Sequence, residues 1–304
     1  MHVVHNPNDL TLSASAITIG NFDGVHRGHQ SLILRTLSLA KQNAMPAIVV
    51  TFWPHPRSIV SPTKSHHPLT TREDRLALLG ELGIPYVLEL PFTKDLANLE
   101  PLAFVTQYLM PLSLTHLVTG YDFSLGRGRT GKTEELRRIG NELGFSVEQM
   151  PPLTDNGVII SSTHLRTLIA QGDIKNANML LGRPYQLKGR VIHGFGRGKG
   201  LGFPTANIAV DNILLPAKGV YAANIAIQGK TVHAMVNIGN TPTFGENDLS
   251  IECHLLNYTG DCYDETLSLS LLAYLRPEQR FPSPEALIAQ IHKDIAQAQT
   301  IFAK

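Results

Sequence analysis

The chain has 304 residues, of which 43% are hydrophobic and 17% charged, and its formal net charge is +1. This length predicts two domains that each bury a core, and the near-zero charge gives no electrostatic basis for binding nucleic acid or an anionic membrane. Two cysteines form no disulfide or metal framework, and the sequence lacks both a secretory leader pattern and a run of 18 apolar residues, so we expect a cytoplasmic protein.

The first informative stretch predicts a strand over Ala16–Ile19, a glycine-containing turn and a helix. A helix N-terminus behind such a turn binds anions, because free backbone N–H groups and the helix dipole point at the same place. His26 and His29 are three residues apart and would share one helix face, where they could donate to phosphate oxygens. An ordinary helix start is the main alternative; a metal site fits less well, since the spacing is not His-x-x-x-His. The residues of this turn that could contact a bound phosphate are Gly20, Asn21, Phe22, Asp23 and Gly24.

This stretch, IGNFDGVHRGHQ, resembles the His-x-Gly-His signature of the nucleotidylyltransferase superfamily. Its form is similar to that of the bacterial bifunctional riboflavin kinase/FAD synthetases. The resemblance implies transfer of a nucleotidyl group, with both histidines at the reacting phosphates and with the turn at 20–24 binding ATP.

Three further strands are predicted over 46–52, 84–90 and 116–119, with a helix over 70–82 after the first of them. His55 follows the first of these strands in TFWPHP, at the end of a strand where ligands bind in open α/β sheets. A flavin contact and a solvated loop position are equally good interpretations of it. Gly120 and Asp122 follow the strand at 116–119 and resemble the family's Gly-x-Asp-Phe-x-x-Gly segment, which lies close to the nucleotide there.

A second helix start, within 159–169, repeats the chemistry of the first. Ser161, Ser162 and Thr163 can cap the helix and leave N–H donors for phosphate, and Arg166 can bind two phosphate oxygens. Alone, this pattern fits a simple capped helix equally well, but with the upstream motif it resembles the superfamily's Ser-Ser-Thr-x-x-Arg. These units predict an α/β, Rossmann-like nucleotidylyltransferase domain with a doubly wound parallel sheet over residues 1–182.

The second half changes to short alternating strands and predicts a small antiparallel β-barrel with a C-terminal helix over residues 183–304. The expected strands are 187–193, 219–227, 231–238, 250–256 and 266–275, and the expected helix is 283–302.

Between the first two of these strands lies a glycine-rich segment, HGFGRGKGLGFPTANI. Its backbone amides can surround the phosphates of a second ATP, although a glycine-rich hairpin explains the glycines alone. Thr205 and Asn207 point the same way in an extended chain and offer two neutral oxygens for Mg²⁺. The other predicted ATP-binding residues of this segment are Gly194, Gly198, Lys199, Gly202 and Pro204.

Glu252 is predicted on a strand whose neighbours Ile251 and Cys253 face the other side. A carboxylate there could accept a proton from a hydroxyl, but from the spacing alone a surface glutamate is the simpler interpretation. The segments GFPTANI, NIGNTPTF, SIECHLL and LRPEQRF resemble riboflavin kinase domains over nearly all of 185–304. The resemblance implies that Glu252 is the base for the ribityl 5′-hydroxyl and that Arg276, Glu278 and Phe281 lie on the flavin side. Thr241 stands where the family usually has arginine, so the role of that arginine is in doubt in this chain.

The resemblance as a whole implies that the chain phosphorylates riboflavin to FMN and then adenylylates FMN to FAD and pyrophosphate, using ATP and Mg²⁺. The expected partners are small molecules only. Three alternatives stay open: a nucleotidylyltransferase for another phosphorylated substrate with a regulatory flavin-binding barrel, a non-catalytic flavin sensor, and an RNA-binding barrel. The last is the least favoured, since the sequence has no aromatic and basic platform.

Overall fold

The computed structural model describes residues 1–61, 67–193, 202–210, 213–240, 249–260 and 262–303. The chain divides into two compact units, Met1–Ser162 and Thr163–Lys304. Four positions named above, Gly194, Gly198, Lys199 and Thr241, lie outside the described residues.

The first unit contains a six-stranded sheet in which every pair of neighbouring strands is parallel. Its strands are β1 (His2–Val4), β2 (Ser15–Ile19), β3 (Ala47–Trp53), β4 (Tyr86–Pro91), β5 (Leu114–Thr119) and β6 (Ser146–Gln149). Its helices are α1 (Arg27–Gln42), α2 (Pro56–Val60), α3 (Arg72–Glu81), α4 (Lys94–Ala97), α5 (Pro101–Phe104) and α6 (Thr133–Leu143). A small hairpin, β7 (Thr154–Asp155) and β8 (Val158–Ile159), follows.

The strand order is β1-β4-β3-β2-β5-β6, so the chain reverses its direction of travel across the sheet between β2 and β5. Ligands of open α/β sheets bind at such a reversal, beyond the carboxyl ends of the strands. The predicted doubly wound parallel sheet is confirmed, and the turn at Gly20 lies at its reversal point.

Both faces of this sheet are covered, which explains why its central strands are apolar without alternation. Ile17 and Ile19 pack in the layer that contains α5 and α6, whereas Ala16 packs in the layer that contains α1 and α3. Every residue of β2 is buried as a result.

The second unit contains a closed six-stranded barrel with the order β10-β13-β12-β11-β14-β9. Its strands are β9 (Tyr185–Ile192), β10 (Ala206–Val210), β11 (Gly219–Ile227), β12 (Lys230–Asn240), β13 (Leu249–Leu255) and β14 (Thr266–Arg276). Its helices are α7 (Ser162–Ala170), α8 (Ile174–Leu181) and α9 (Pro284–Phe302). The barrel is confirmed; β10, which the sequence indicates only as an extended segment, closes it by pairing with both β9 and β13.

Helix α9 packs on the outside of the barrel, as its apolar stripe predicts. Ala298, together with Ile295 and Phe302, contacts Val220, Ala222 and Met235. Tyr221 lies between Val220 and Ala222 on β11, and Val236 follows Met235 on β12. Both are fully buried and fill the interior of the barrel. Ile251 and Cys253 are likewise buried, so the alternation along β13 places Glu252 on the outer face.

Candidate active sites

The turn between β2 and α1 is held in an unusual backbone conformation. Phe22 has a positive φ of 49°, and its side chain is completely buried. A Cβ on Gly20 would lie only 3.2 Å from the Phe22 ring, so a side chain at this position would require the ring to shift. Because the Phe22 ring is buried, any contact of this residue with a nucleotide would come from its backbone.

The two histidines of the motif lie against each other at the start of α1. His26 is the N-cap residue rather than part of the helix, and its Nδ1 accepts a hydrogen bond of 3.3 Å from the backbone N–H of His29. The two rings stack with their centroids 3.6 Å apart, and the Phe22 ring meets His29 edge-on at 5.3 Å. Gly28 is required below them, since a Cβ there would lie 3.1 Å from the His26 ring and 3.2 Å from Ile160 O.

This geometry fixes how the imidazoles can act. Because Nδ1 of His26 accepts a hydrogen bond, the proton of the neutral ring is on Nε2, which is the donor atom of this ring. Burial, with the neighbouring His26 as the second cause, holds the pKa of His29 well below its ordinary value. Nδ1 of His29 is buried and has no hydrogen-bond partner among the residues that the structure describes.

Asp23 and Ser162 tie the turn to the surrounding chain. Oδ1 of Asp23 accepts hydrogen bonds from the N–H of Leu69 at 2.8 Å and of Thr70 at 3.4 Å. The hydroxyl of Ser162 donates to the backbone carbonyl of Asp23 at 3.0 Å, which brings the start of the second motif to the first. Ser161 directly precedes α7, and Thr163 and Arg166 lie within that helix.

Gly120 and Asp122 follow β5, the neighbour of β2 at the reversal point. The register pairs Thr18 with Val118, so Gly20 and Gly120 leave the sheet side by side. Asp122 is exposed, and its carboxylate lies near Gly120, whose added Cβ would be 3.8 Å from Oδ1. His55 caps α2, where its Nδ1 accepts a hydrogen bond from the N–H of Arg57 at 3.1 Å.

A row of polar side chains crosses three strands on the outer face of the barrel. Asn207 of β10 stands directly opposite Glu252 of β13, which in turn stands opposite Asn237 of β12. Directly opposed residues of an antiparallel pair share one face, so the three side chains are neighbours. Sequence reasoning missed Asn237, although it lies in the quoted NIGNTPTF segment, because only the strand register brings it to Glu252.

The segment that leads into this row is anchored by its backbone and by aromatic contacts. The carbonyl of Pro204 accepts a hydrogen bond from Nδ1 of His254 at 2.9 Å, and Phe203 meets the rings of His254 and His292 edge-on. Gly202, with a positive φ of 85°, and Thr205 flank these residues. The predicted ligands that the structure describes therefore lie at the end of β10 that pairs with Glu252. They are Gly202 and Pro204 for phosphate and Thr205 and Asn207 for the cation.

Comparisons with known proteins address both units. The family model for FAD synthetase matches residues 9–164, and that for riboflavin kinase matches residues 181–302. Two relatives carry the name bifunctional riboflavin kinase/FMN adenylyltransferase. The protein from Listeria monocytogenes is 37% identical over 99% of this chain and 98% of its own length. The protein from Escherichia coli is 36% identical over 98% of this chain and 96% of its own length. The chain belongs to the bifunctional riboflavin kinase/FMN adenylyltransferase family.

The family likeness extends to solved structures. A crystal structure described as a macrolide-efflux protein from Streptococcus pneumoniae matches with a TM-score of 0.90 and 28% sequence identity, over 98% of each chain. Within the described part of this family member, no helix combines the length and apolarity that crossing a membrane requires.

The residues that the family resemblance assigns to the flavin side surround the junction of β14 and α9. Arg276 donates from Nε to both carboxylate oxygens of Asp294, at 2.9 and 3.0 Å, and its guanidinium lies 5.6 Å from the Phe281 ring. The Glu278 carboxylate lies against Gly239, where a Cβ would clash with it. The Arg276 contact explains how α9 is held; the flavin contacts of Arg276, Glu278 and Phe281 remain predictions.

We expect the Asp294→Ala variant to lose about 3 kcal/mol of unfolding free energy, because it leaves the largely buried Arg276 guanidinium without its carboxylate. Urea titration monitored by far-UV circular dichroism measures the loss. The matched control is Asp264→Ala, which removes an exposed ion pair with Arg190 and should change stability little. Equal losses in the two variants would contradict the structural role of Asp294.

The His29 pKa predicts a pH dependence of stability. In the unfolded chain His29 binds a proton as the pH falls below about 6.5, whereas the folded form stays neutral to lower pH. Stability should therefore fall between pH 6.5 and the lowered pKa, by about 1.4 kcal/mol per unit of pKa difference. We expect this fall to be smaller in His29→Gln, measured by urea unfolding at pH 7.5 and 5.5. An unchanged pH slope in the variant would contradict it.

Proposed function

We propose that this chain carries out both reactions of its family at two separate sites, with FMN adenylylation in a domain over 1–182 and riboflavin phosphorylation in a domain over 183–304. The observation that supports this most directly is the pair of distinct polar clusters: stacked imidazoles at a helix N-terminus, and a carboxylate between two amides on a barrel face. Its substrates are ATP, riboflavin and FMN.

In the adenylylation, a phosphate oxygen of FMN attacks the α-phosphorus of ATP. The new P–O bond forms as the bond to the β-phosphate oxygen breaks, and pyrophosphate leaves with the bonding electrons. Negative charge is concentrated on the non-bridging oxygens, so the reaction needs donors placed in advance. We assign this role to Nε2–H of His26, to the His29 imidazole and to the free N–H groups at the start of α1.

The remaining predicted residues complete this site. Arg166 and the hydroxyls of the second helix start would bind phosphate oxygens, and Gly120 and Asp122 would contact the nucleoside from the neighbouring strand. His55 would contact the flavin. The hydrogen bond between Ser162 and the Asp23 carbonyl supports a phosphate site that includes the beginning of the second motif.

In the phosphorylation, the ribityl 5′-hydroxyl attacks the γ-phosphorus of the second ATP, and ADP leaves. Glu252 accepts the proton of that hydroxyl as the oxygen bonds to phosphorus. Hydroxyl and amide oxygens are hard ligands that suit Mg²⁺. Thr205 and Asn207 would hold the ion, which when bound neutralises the charge of the ATP phosphates.

The Mg²⁺ assignment makes a prediction of its own. Asn207→Ala should raise the Mg²⁺ concentration needed for half-maximal riboflavin phosphorylation by about tenfold or more, since a lost ligand worth 1.4 kcal/mol has this effect. The Mg²⁺ dependence of FMN adenylylation should not change. Asn224→Ala is the matched control, because Asn224 also lies on the barrel but bonds His233. A shift of equal size in both variants would exclude Asn207 as the specific ligand.

Two assays on the full chain test the proposed function. Riboflavin with ATP should release ADP and form FMN, and FMN with ATP should release pyrophosphate and form FAD. If riboflavin binds but no ADP appears, while another phosphorylated substrate is adenylylated, the barrel is regulatory and the alternative function holds. The cytoplasmic location belongs to the same proposal and is supported by two cysteines that are not joined in a disulfide.

A further inference from the structure

A buried guanidinium, that of Arg75 on α3, joins the ends of three neighbouring strands beside the adenylylation site. Arg75 is 3% exposed. Its Nη1 donates to the carbonyl of Asn21, just after β2, at 3.1 Å, and its Nη2 donates to the carbonyl of Phe52 in β3, also at 3.1 Å. Nη2 also donates to Oε1 of Glu89 in β4 at 3.0 Å.

The residues just before α3 hold the other end of the same turn. Thr70 and Leu69 donate their N–H groups to Oδ1 of Asp23, and the hydroxyl of Thr70 accepts from the N–H of Gly24 at 3.3 Å. A Cβ on Gly24 would lie 2.9 Å from the Leu69 side chain, so the two segments are in close contact. We call residues 69–75 the α3 clamp, because they bind the turn at Asn21 and again at Asp23 and Gly24.

The clamped turn leads directly to both imidazoles. Asn21 precedes Phe22, whose left-handed backbone places its ring edge-on to His29. Gly24 is followed by Val25 and then by His26, the N-cap residue. A shift of the turn therefore displaces the pair of rings that would donate to the reacting phosphates.

From these contacts we propose that Arg75 is a positioning residue for adenylyl transfer, which acts through the α3 clamp without touching the substrate. This inference rests on the proposed function of the turn. Arginine suits the position because its planar group offers several donors in fixed directions, so one side chain can hold two carbonyls and a carboxylate together. A lysine keeps the charge but cannot reproduce this fork.

The test compares Arg75→Met, Arg75→Lys and Thr70→Val with the unchanged chain, using the kcat and KM of FMN adenylylation. We expect kcat to fall about 100-fold in Arg75→Met with little change in KM, since a misplacement of about 1 Å has this effect on rate. Arg75→Lys should recover part of the loss. Thr70→Val, which keeps the shape and removes one hydrogen bond, should lower kcat less than Arg75→Met.

Two readouts separate positioning from unfolding. Trp53 is the only tryptophan of the chain, and its ring lies 5.8 Å from the Arg75 guanidinium, so its fluorescence reports the fold at this position. Riboflavin phosphorylation by the same molecules should stay unchanged. Arg35→Met is the matched control, because Arg35 forms an ion pair with Glu148 elsewhere in the same unit and should not alter adenylylation.

The proposal is overturned if folded Arg75→Met keeps the kcat of the unchanged chain. It is also overturned if the fall in kcat is accompanied by an equal rise in KM and Arg75→Lys recovers none of the lost kcat. If Arg75→Met does not fold, Thr70→Val decides: an unchanged kcat in that variant also overturns the proposal. If the unchanged chain makes no FAD from FMN, the proposed function has failed instead.

Discussion

Replacing Glu252 with alanine is expected to lower the kcat of riboflavin phosphorylation by about 10²–10⁴-fold, the contribution of a positioned general base. The variant loses the only carboxylate of the row formed with Asn207 and Asn237, so the attacking hydroxyl keeps its proton. FMN adenylylation should stay within about twofold of the unchanged chain, because none of the residues assigned to it lies on a barrel strand. Separate assays with riboflavin and with FMN measure the two rates.

Two further variants make this test specific. Glu252→Gln keeps the size and one acceptor oxygen of the side chain but removes the basic carboxylate, so it should be nearly as impaired as alanine. Glu265→Gln removes a different barrel carboxylate, one that accepts from Gln228 at 2.9 Å, and should leave phosphorylation intact. Loss of both activities in folded Glu252→Ala would refute the assignment of the two reactions to different sites.

His29→Ala should show the opposite pattern. Removing one donor aimed at the charge of the transition state costs about 10²–10³-fold in rate, so FAD formation from supplied FMN should fall by that factor. The loss is reinforced structurally, because the variant removes the ring that stacks on His26. Riboflavin phosphorylation should continue, and FMN should accumulate. Liquid chromatography of the flavins measures both products.

The control for this variant is His116→Ala. His116 lies on β5 of the same sheet and bonds the Ser146 hydroxyl at 2.6 Å, away from the turn at Gly20. Its removal should not affect FAD formation. Unchanged FAD synthesis in His29→Ala would count against any role of this imidazole at the phosphates.

Features that depend on neighbouring residues could be predicted from the sequence. The apolar strand over Ala16–Ile19, the glycine turn and the helix behind it are local signals, and each is found close to its predicted position. Helix α1 begins at Arg27, whereas the prediction that both histidines share one helix face requires His26 to lie within the helix. His26 is the cap, and the two rings meet by stacking instead of by helical spacing.

Features that depend on distant pairing could not be predicted. Asn237 reaches Glu252 only through the register of β12 and β13, and Arg75 reaches Asn21 across 54 residues of chain. Likewise, Arg276 carries the family's flavin-side signal, but its bond to Asp294 depends on how α9 packs against the barrel. Local patterns do not encode such contacts, because they arise from the topology that the whole chain adopts.

The most direct measurement of the central claim is product analysis by mass spectrometry after incubation of the full chain with riboflavin, Mg²⁺ and isotopically labelled ATP. Among the flavin products, label in the γ-phosphate should appear in FMN and in the flavin-side phosphate of FAD, whereas label in the α-phosphate should appear only in the AMP half of FAD. A folded chain that forms neither FMN nor FAD, or that places the α-label in FMN, would contradict two ATP-dependent sites in this protein.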